Sequence, residues 1–256
     1  MGSNDAAFWI AIVGAGAWLP QIGSWIHKSL LRPEVDVYLG GNVDVGFTDE
    51  GPALAVPLIM TARKKDCVVT AATATVRHQQ GETHEMHWKW VAEVKGFLSG
   101  IPGTAPLTFH QAELAIAIPL ATKDVVSRRI NFREVGFEGE MQRRISSVTS
   151  ALEGIEGEPR TQVREWRDAV QWYRNAFFWR EGTYSVTLDF AASDTPYQTK
   201  LSFSFELTEP DLAPLRENVE ATVRQRALAV RNPLDPNANS MINWSWCNKA
   251  IVIDNR

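Results

Sequence analysis

The chain has 256 residues, of which 45% are hydrophobic and 22% charged, and these proportions exclude an intrinsically disordered protein. Its 26 Lys and Arg residues against 30 Asp and Glu residues leave a net charge of −4, which gives no basic footprint for a nucleic-acid partner. Two cysteines, Cys67 and Cys247, are too few for a disulfide scaffold and cannot form a structural zinc site by themselves.

The first feature along the chain is an uncharged stretch over residues 6–26. As a helix it is long enough to cross the hydrocarbon core of a bilayer, so we predict a membrane-anchoring helix over residues 6–28 with lipid as its partner. Trp9 and Trp25 lie near its ends, where indole rings favour the headgroup region. The other interpretation is a helix packed in the globular part, although Pro20 would break a helix in water.

The charges around this segment predict its orientation. Lys28 and Arg32 follow it, and no Lys or Arg precedes it. Because basic residues stay on the cytoplasmic side, we expect a single-pass anchor with the C-terminal part in the cytoplasm. The N-terminal residues MGSND also lack the basic region of a cleaved signal peptide, so we expect the anchor to be retained.

The same stretch supports an alternative function, an NAD(P)-dependent oxidoreductase. Gly14 and Gly16 resemble the first two glycines of a dinucleotide-binding loop, and Asp36 lies at a suitable distance for a ribose-binding acid. The third glycine is replaced by Leu19, and Pro20 falls inside what would be the first helix. The remaining chain also lacks the alternating strands and helices of a parallel sheet.

From residue 34 onwards the hydrophobic period is mostly two, which is typical of strands with one buried face. We therefore predict a mainly β (α+β) domain over residues 34–256, an antiparallel Ig-like β-sandwich. The segments 67–76 and 82–91 predict a hairpin, because Gln79, Gln80 and Gly81 form a turn between them. The predicted strands cover residues 35–39, 43–47, 54–60, 67–76, 82–91, 184–190, 201–207 and 244–253.

Helical insertions interrupt this pattern at about residues 137–179 and 209–229. In the first, apolar residues recur at steps of three and four, which predicts two helices over residues 137–155 and 160–179. The second begins at Thr208 with early acidic residues and a proline. Glycines and prolines predict an irregular loop over residues 95–106.

The segment from Glu82 to His87 is the best candidate for a metal site. In a strand, however, His84 and His87 project to opposite faces, and no third ligand lies nearby in the sequence. We expect His84 to share a face with Met86, Trp88 and Trp90, at the rim of the core. His78 could approach His84 across the hairpin. We predict neither a metal nor a cofactor here.

The chain contains ten tryptophans, which is many for its length. Most fit a core or the anchor, but Trp172 lies off the apolar stripe of its helix. If exposed, Trp172 or Trp179 would be a candidate contact for a protein partner. The sequence contains no nucleophile elbow and no phosphate-binding loop, and neither cysteine lies in a local protease signature.

Three strings together resemble an uncharacterised family of bacterial proteins with one N-terminal hydrophobic segment and an Ig-like β-rich body. They are GFTDEGPALAVPLIMTARKKDCVVTAATATVRHQQGETHEMHWKW, FFWREGTYSVTLDF and FSFELTEPDLAPLRENV. The resemblance implies the architecture and no activity. We therefore expect a membrane-anchored binding or scaffolding module at the cytoplasmic face of a bacterial inner membrane.

Overall fold

A computed structural model describes residues 21, 31–98, 107–155, 161–193, 199–232 and 242–253. The side chains of 94–98 and 107–112 are outside this description. The described part is mainly antiparallel β, as predicted. The strands are β1 (Glu34–Leu39), β2 (Asn42–Thr48), β3 (Gly51–Arg63), β4 (Cys67–His78), β5 (Thr83–Leu98), β6 (Leu107–Leu114), β7 (Ile118–Leu120), β8 (Val126–Glu134), β9 (Gly182–Ala192), β10 (Thr199–Leu207), β11 (Trp246–Ala250) and β12 (Val252–Ile253).

These strands form one hydrogen-bonded sheet in the order β11-β2-β3-β8-β5-β4-β9-β10-β12, with β1 on β3, β6 on β5 and β7 on β4. All of their pairings are antiparallel. The sheet is nearly closed, because β11 pairs with β2 at one end and β12, one residue later, pairs with β10 at the other. Near this gap Thr199 Oγ1 donates to the carbonyl of Val35 at 3.0 Å.

The inner face of the sheet forms the main core. The predicted alternation is clearest in β9, where Tyr184, Val186, Leu188 and Phe190 are all buried. The predicted hairpin is also confirmed, since β4 and β5 pair from Thr73 opposite His87 to Arg77 opposite Thr83. Burying these apolar side chains stabilises the sheet by roughly 1.5–3 kcal/mol for each large residue.

Three helices lie at one end of the sheet: α1 (Phe137–Ala151), α2 (Arg164–Asn175) and α3 (Glu209–Arg231). They match the three predicted helices, with the first two shorter than expected. A second apolar cluster of Phe47, Phe137, Tyr173 and Val219 joins them to β2. Asn218 of α3 adds polar contacts: its Nδ2 donates to the carbonyls of Phe47 at 3.0 Å and Ser245 at 2.7 Å.

Two predictions on the N-terminal part lie outside the described residues. These are the anchor over residues 6–28, apart from Gln21, and the Gly14/Gly16 loop; Trp9, Trp25 and Lys28 lie there too. No helix in the described ranges is both long enough and apolar enough to cross a membrane. The predicted loop over residues 95–106 begins inside β5, and residues 99–106 are not described.

The prediction that Trp90 shares a face of its strand with His84, Met86 and Trp88 is wrong. The pairing of β5 with β8 shifts register between Trp88 and Trp90. Trp88 packs against the main core, whereas the indole Nε1 of Trp90 donates to Glu50 Oε2 at 3.1 Å on the other face. The cause is a β-bulge, which adds one residue and reverses the facing of the residues that follow directly, Trp90 included.

Candidate ligand-binding site

The apolar stripes of the three helices converge on one cavity. Met141 and Ile145 of α1, Trp166 and Tyr173 of α2 and Val223 of α3 face it. Each stripe follows from apolar residues spaced three or four apart, which places them on one side of a helix. In a bundle such stripes usually fill the space between the helices, but here they leave a gap.

The cavity has a volume of about 320 Å³, at the small end of the range for ligand sites in proteins. Ile145 is 36% exposed and Trp166 is half-buried, so the rim reaches solvent. Besides two arginines and one threonine, the lining is apolar or aromatic. The lining residues are Met141, Arg144, Ile145, Val148, Thr149, Leu152, Trp166, Ala169, Val170, Trp172, Tyr173, Val223, Arg226, Ala229 and Val230.

Tyr173 and Trp172 make the inner wall of this cavity rigid. The hydroxyl of Tyr173 donates to the carbonyl of Thr48 at 2.6 Å, and burial raises the pKa of this phenol well above its ordinary value. The phenol therefore stays protonated and acts as a structural donor. The ring of Trp172 stacks on Phe137 with centroids 5.0 Å apart. A ligand would meet a preformed aromatic wall, which lowers the entropy cost of binding.

The two arginines of the lining have different surroundings. The Arg144 guanidinium lies 5.1 Å from the ring centre of Trp172, and its Nε is 2.7 Å from Glu140 Oε1. Arg226 has its Nη2 3.6 Å from Met141 Sδ. The Nε of Arg226 is buried without a hydrogen-bond partner among the described residues. The lining thus carries positive charge and no acidic side chain.

The two predicted partner contacts have different outcomes. Trp172 lines the cavity and is half-buried. Trp179 is only 1% exposed, and its indole donates to the carbonyl of Gly46 at 2.9 Å, so it belongs to the core and is not a docking surface. Trp166 and Arg226 were not singled out as site residues. Trp166 was visible in the stripe of α2, but no local signal marks Arg226.

The predicted anchor residue Arg32 and the predicted ribose ligand Asp36 lie near the far end of the sheet from the helices. Arg32 precedes β1, and Asp36 on β1 forms an ion pair with Arg63 on β3. The dinucleotide alternative requires a parallel sheet beside its glycine loop, and every pairing of the named strands is antiparallel. Asp36, through its ion pair with Arg63, links β1 to β3.

The histidines of the hairpin do not converge. His84 Nδ1 lies 2.9 Å from Glu134 Oε1, and its ring stacks on Phe178 at 3.7 Å. His87 points the other way, towards Glu85, and the ring of His78 packs on Tyr184 instead of approaching His84. Across the described ranges, no group of three His, Cys, Asp or Glu side chains could hold a metal ion.

A charged network lies on the outer face, beside the turn between β2 and β3. Glu50 Oε2 accepts from Arg133 Nε at 3.1 Å and from Trp90, while its Oε1 is 3.1 Å from Lys89 Nζ. Burial alone would raise the pKa of Glu50, but these hydrogen bonds and charges lower it below its ordinary value. Lys89 also donates to Glu138 at 2.8 Å. The network joins β5, β8 and α1, which is a structural role.

Neither thiol has the character of a nucleophile. Burial, reinforced by the carboxylate of Asp211, raises the pKa of Cys247 to about 12. Its Sγ donates to Asp211 Oδ1 at 3.3 Å, and Lys249 Nζ donates to the other oxygen at 2.8 Å. Burial also raises the pKa of Cys67. Both thiols stay protonated near neutral pH, and a protonated thiol is a poor nucleophile.

No protein-family model matches the chain, and no curated protein matches it either. Among solved structures, the chain is similar to a family 123 glycoside hydrolase from Clostridium perfringens, described in connection with glycolipid glycan hydrolysis. The sequence identity is 11% and the TM-score 0.34, and the match covers 68% of this chain and 27% of that one. The chain thus spans about a quarter of the hydrolase. At this TM-score the likeness indicates neither a shared fold nor shared chemistry.

Proposed function

We propose that the protein is a binding module that holds an apolar ligand in the cavity between α1, α2 and α3. The observation that carries this proposal is the cavity itself, about 320 Å³ with a lining that is almost wholly apolar or aromatic. A ligand would replace water next to this surface, and burial of apolar area is the main driving force of such binding. The few polar groups of the wall would orient it.

Membrane attachment through residues 6–28 belongs to the same proposal, as does an Ig-like arrangement of the sheet. The uncharged stretch of residues 6–26 supports an anchor. An anchored binding module would meet apolar ligands at the membrane surface, where they concentrate. Recovery of the full chain in the membrane fraction after salt washing is the expected result, and complete recovery in the soluble fraction would contradict the anchor. A protein partner that contacts Trp172 stays a prediction.

Titration with dodecanol tests the cavity. This neutral probe carries an apolar chain, and we expect saturable binding by isothermal titration calorimetry with a negative heat-capacity change. Ala169 lies in the middle of the α2 lining, so Ala169→Phe should fill the cavity and weaken dodecanol binding by about tenfold or more.

The matched control is Ala213→Phe, an exposed position on α3 that does not line the cavity. It should bind dodecanol as the unmodified chain does. Equal loss in both variants contradicts the proposed function, as does failure of the unmodified chain to bind any probe with a twelve-carbon chain.

A further inference from the structure

We infer that the ligand of this cavity is an amphipathic carboxylate, whose charged end pairs with Arg226 while its apolar chain lies against the aromatic wall. This inference rests on the proposed function and adds the chemical class of the ligand. It comes from the unequal surroundings of the two arginines that line the cavity.

Arg226 carries a charge that the described residues leave uncompensated. Its Nε is buried and has no hydrogen-bond partner among them, and its Nη2 reaches only the thioether of Met141 at 3.6 Å, a weak acceptor. A buried polar donor without a partner costs free energy, and a charged one costs more. A carboxylate in the cavity would balance the guanidinium charge and would accept from its terminal Nη groups.

Arg144 does not compete for the ligand in the same way. Its Nε, although buried without a hydrogen bond of good geometry, lies 2.7 Å from the carboxylate of Glu140, which also pairs with the exposed Arg143, and its guanidinium lies over the Trp172 ring. Arg226 is therefore the arginine of the lining that has no acidic partner among the described residues. A carboxylate, with one negative charge, balances the charge of Arg226. A phosphate monoester carries about −1.5 to −2 at neutral pH and would leave negative charge in an apolar site.

The test compares three probes with the same twelve-carbon chain: dodecanoate, dodecanol and protonated dodecylamine. The unmodified protein should bind dodecanoate about tenfold or more tightly than dodecanol, and dodecylamine most weakly, because a charge-assisted hydrogen bond distinguishes them. Arg226→Gln should bind dodecanoate and dodecanol equally.

The matched control is Arg224→Gln, two residues away on α3. The Arg224 side chain is exposed and paired with Glu217, and it does not line the cavity. This variant should keep the preference for dodecanoate. If Arg226→Gln does not fold, Arg226→Met, which places an apolar chain of similar reach in the cavity, is measured with the same expectation.

The outcomes separate this inference from the proposed function. Equal binding of dodecanoate and dodecanol by the unmodified protein overturns the carboxylate inference and leaves the binding cavity standing. A preference that persists in the Arg226 variants overturns the assignment to Arg226. Failure of all three probes to bind overturns the proposed function and the inference with it.

Discussion

His84 and His87 are three residues apart on β5, yet their surroundings differ. The side chain of His84 is 19% exposed, stacks on Phe178 and pairs with Glu134, whereas that of His87 is 53% exposed. We expect His84→Ala to lower the free energy of unfolding by about 1–2 kcal/mol, because it removes a packed ring and a hydrogen bond. His87→Ala should change it by less than about 0.5 kcal/mol.

Urea unfolding of both variants at pH 7 measures these effects. Equal losses would show that the two faces of β5 are not distinct. The opposite facing of the two residues was predictable from strand periodicity. The stack on Phe178 was not, because Phe178 is distant in the sequence and reaches His84 only through the tertiary fold.

Glu50 is expected to make the stability depend on pH. Glu50→Gln weakens the charged hydrogen bonds to Arg133 and Lys89, and it should cost about 1–3 kcal/mol at pH 7. Since the pKa of Glu50 is lower in the folded state, its contribution is present above the unfolded pKa, near 4.5, and disappears as the pH falls through the folded value. The difference between Glu50→Gln and the unmodified protein should therefore shrink below about pH 4.5.

The control for this prediction is Glu138→Gln. Glu138 also pairs with Lys89, but its side chain is exposed, so we expect a change of less than about 0.5 kcal/mol. A Glu50→Gln effect that is constant between pH 7 and pH 3 would contradict the ionised network.

At the scale of elements, the turn between β2 and β3 depends on Gly51. This glycine has φ +89°, and a Cβ there would lie 2.7 Å from the ring of Phe137 at the start of α1. Gly81, in the turn of the β4–β5 hairpin, has φ +96° and open space around it. Gly81→Ala should cost about 1 kcal/mol from backbone strain, and Gly51→Ala about 2–4 kcal/mol because it also displaces Phe137.

Thermal and urea unfolding compare the two glycine variants. Equal losses of unfolding free energy in the two variants would mean that the Phe137 ring moves aside without destabilising the protein and that α1 is not packed against this turn. The paired substitutions separate the backbone strain, which both share, from the contact that only Gly51 makes.

Element types were largely predictable, and element details were not. Strands such as β9 and β10 have alternating residues, and α1, α2 and α3 have apolar stripes, so periodicity predicted them. The bulge between Trp88 and Trp90 places Trp90 on the face opposite to the predicted one. It could not be predicted, because a single extra residue leaves no mark in the sequence composition. Trp179 is the last residue of the helix predicted over residues 160–179, but it lies beyond the end of α2, and its indole donates to the carbonyl of Gly46 in the core. Only the folded chain brings these two residues together.

At the scale of the whole molecule, the cavity forms where two separate insertions meet at one end of the sheet. The apolar faces of α1, α2 and α3 could each be derived from sequence. Their convergence could not, because it depends on how β8, β9 and β10 place the helix ends. The lack of a partner for Arg226 could not be derived from the sequence either, because it depends on which side chains the fold places near the guanidinium.

The most direct test of the central claim is a titration with dodecanoate of protein labelled with ¹³C at its methionine methyl groups, followed by NMR. Met141 lines the cavity, whereas Met60 and Met86 are fully buried in the main core. We expect the Met141 resonance to shift and saturate while those of Met60 and Met86 stay in place. A Met141 resonance that does not respond, or a response confined to Met60 and Met86, would contradict a ligand site between the three helices.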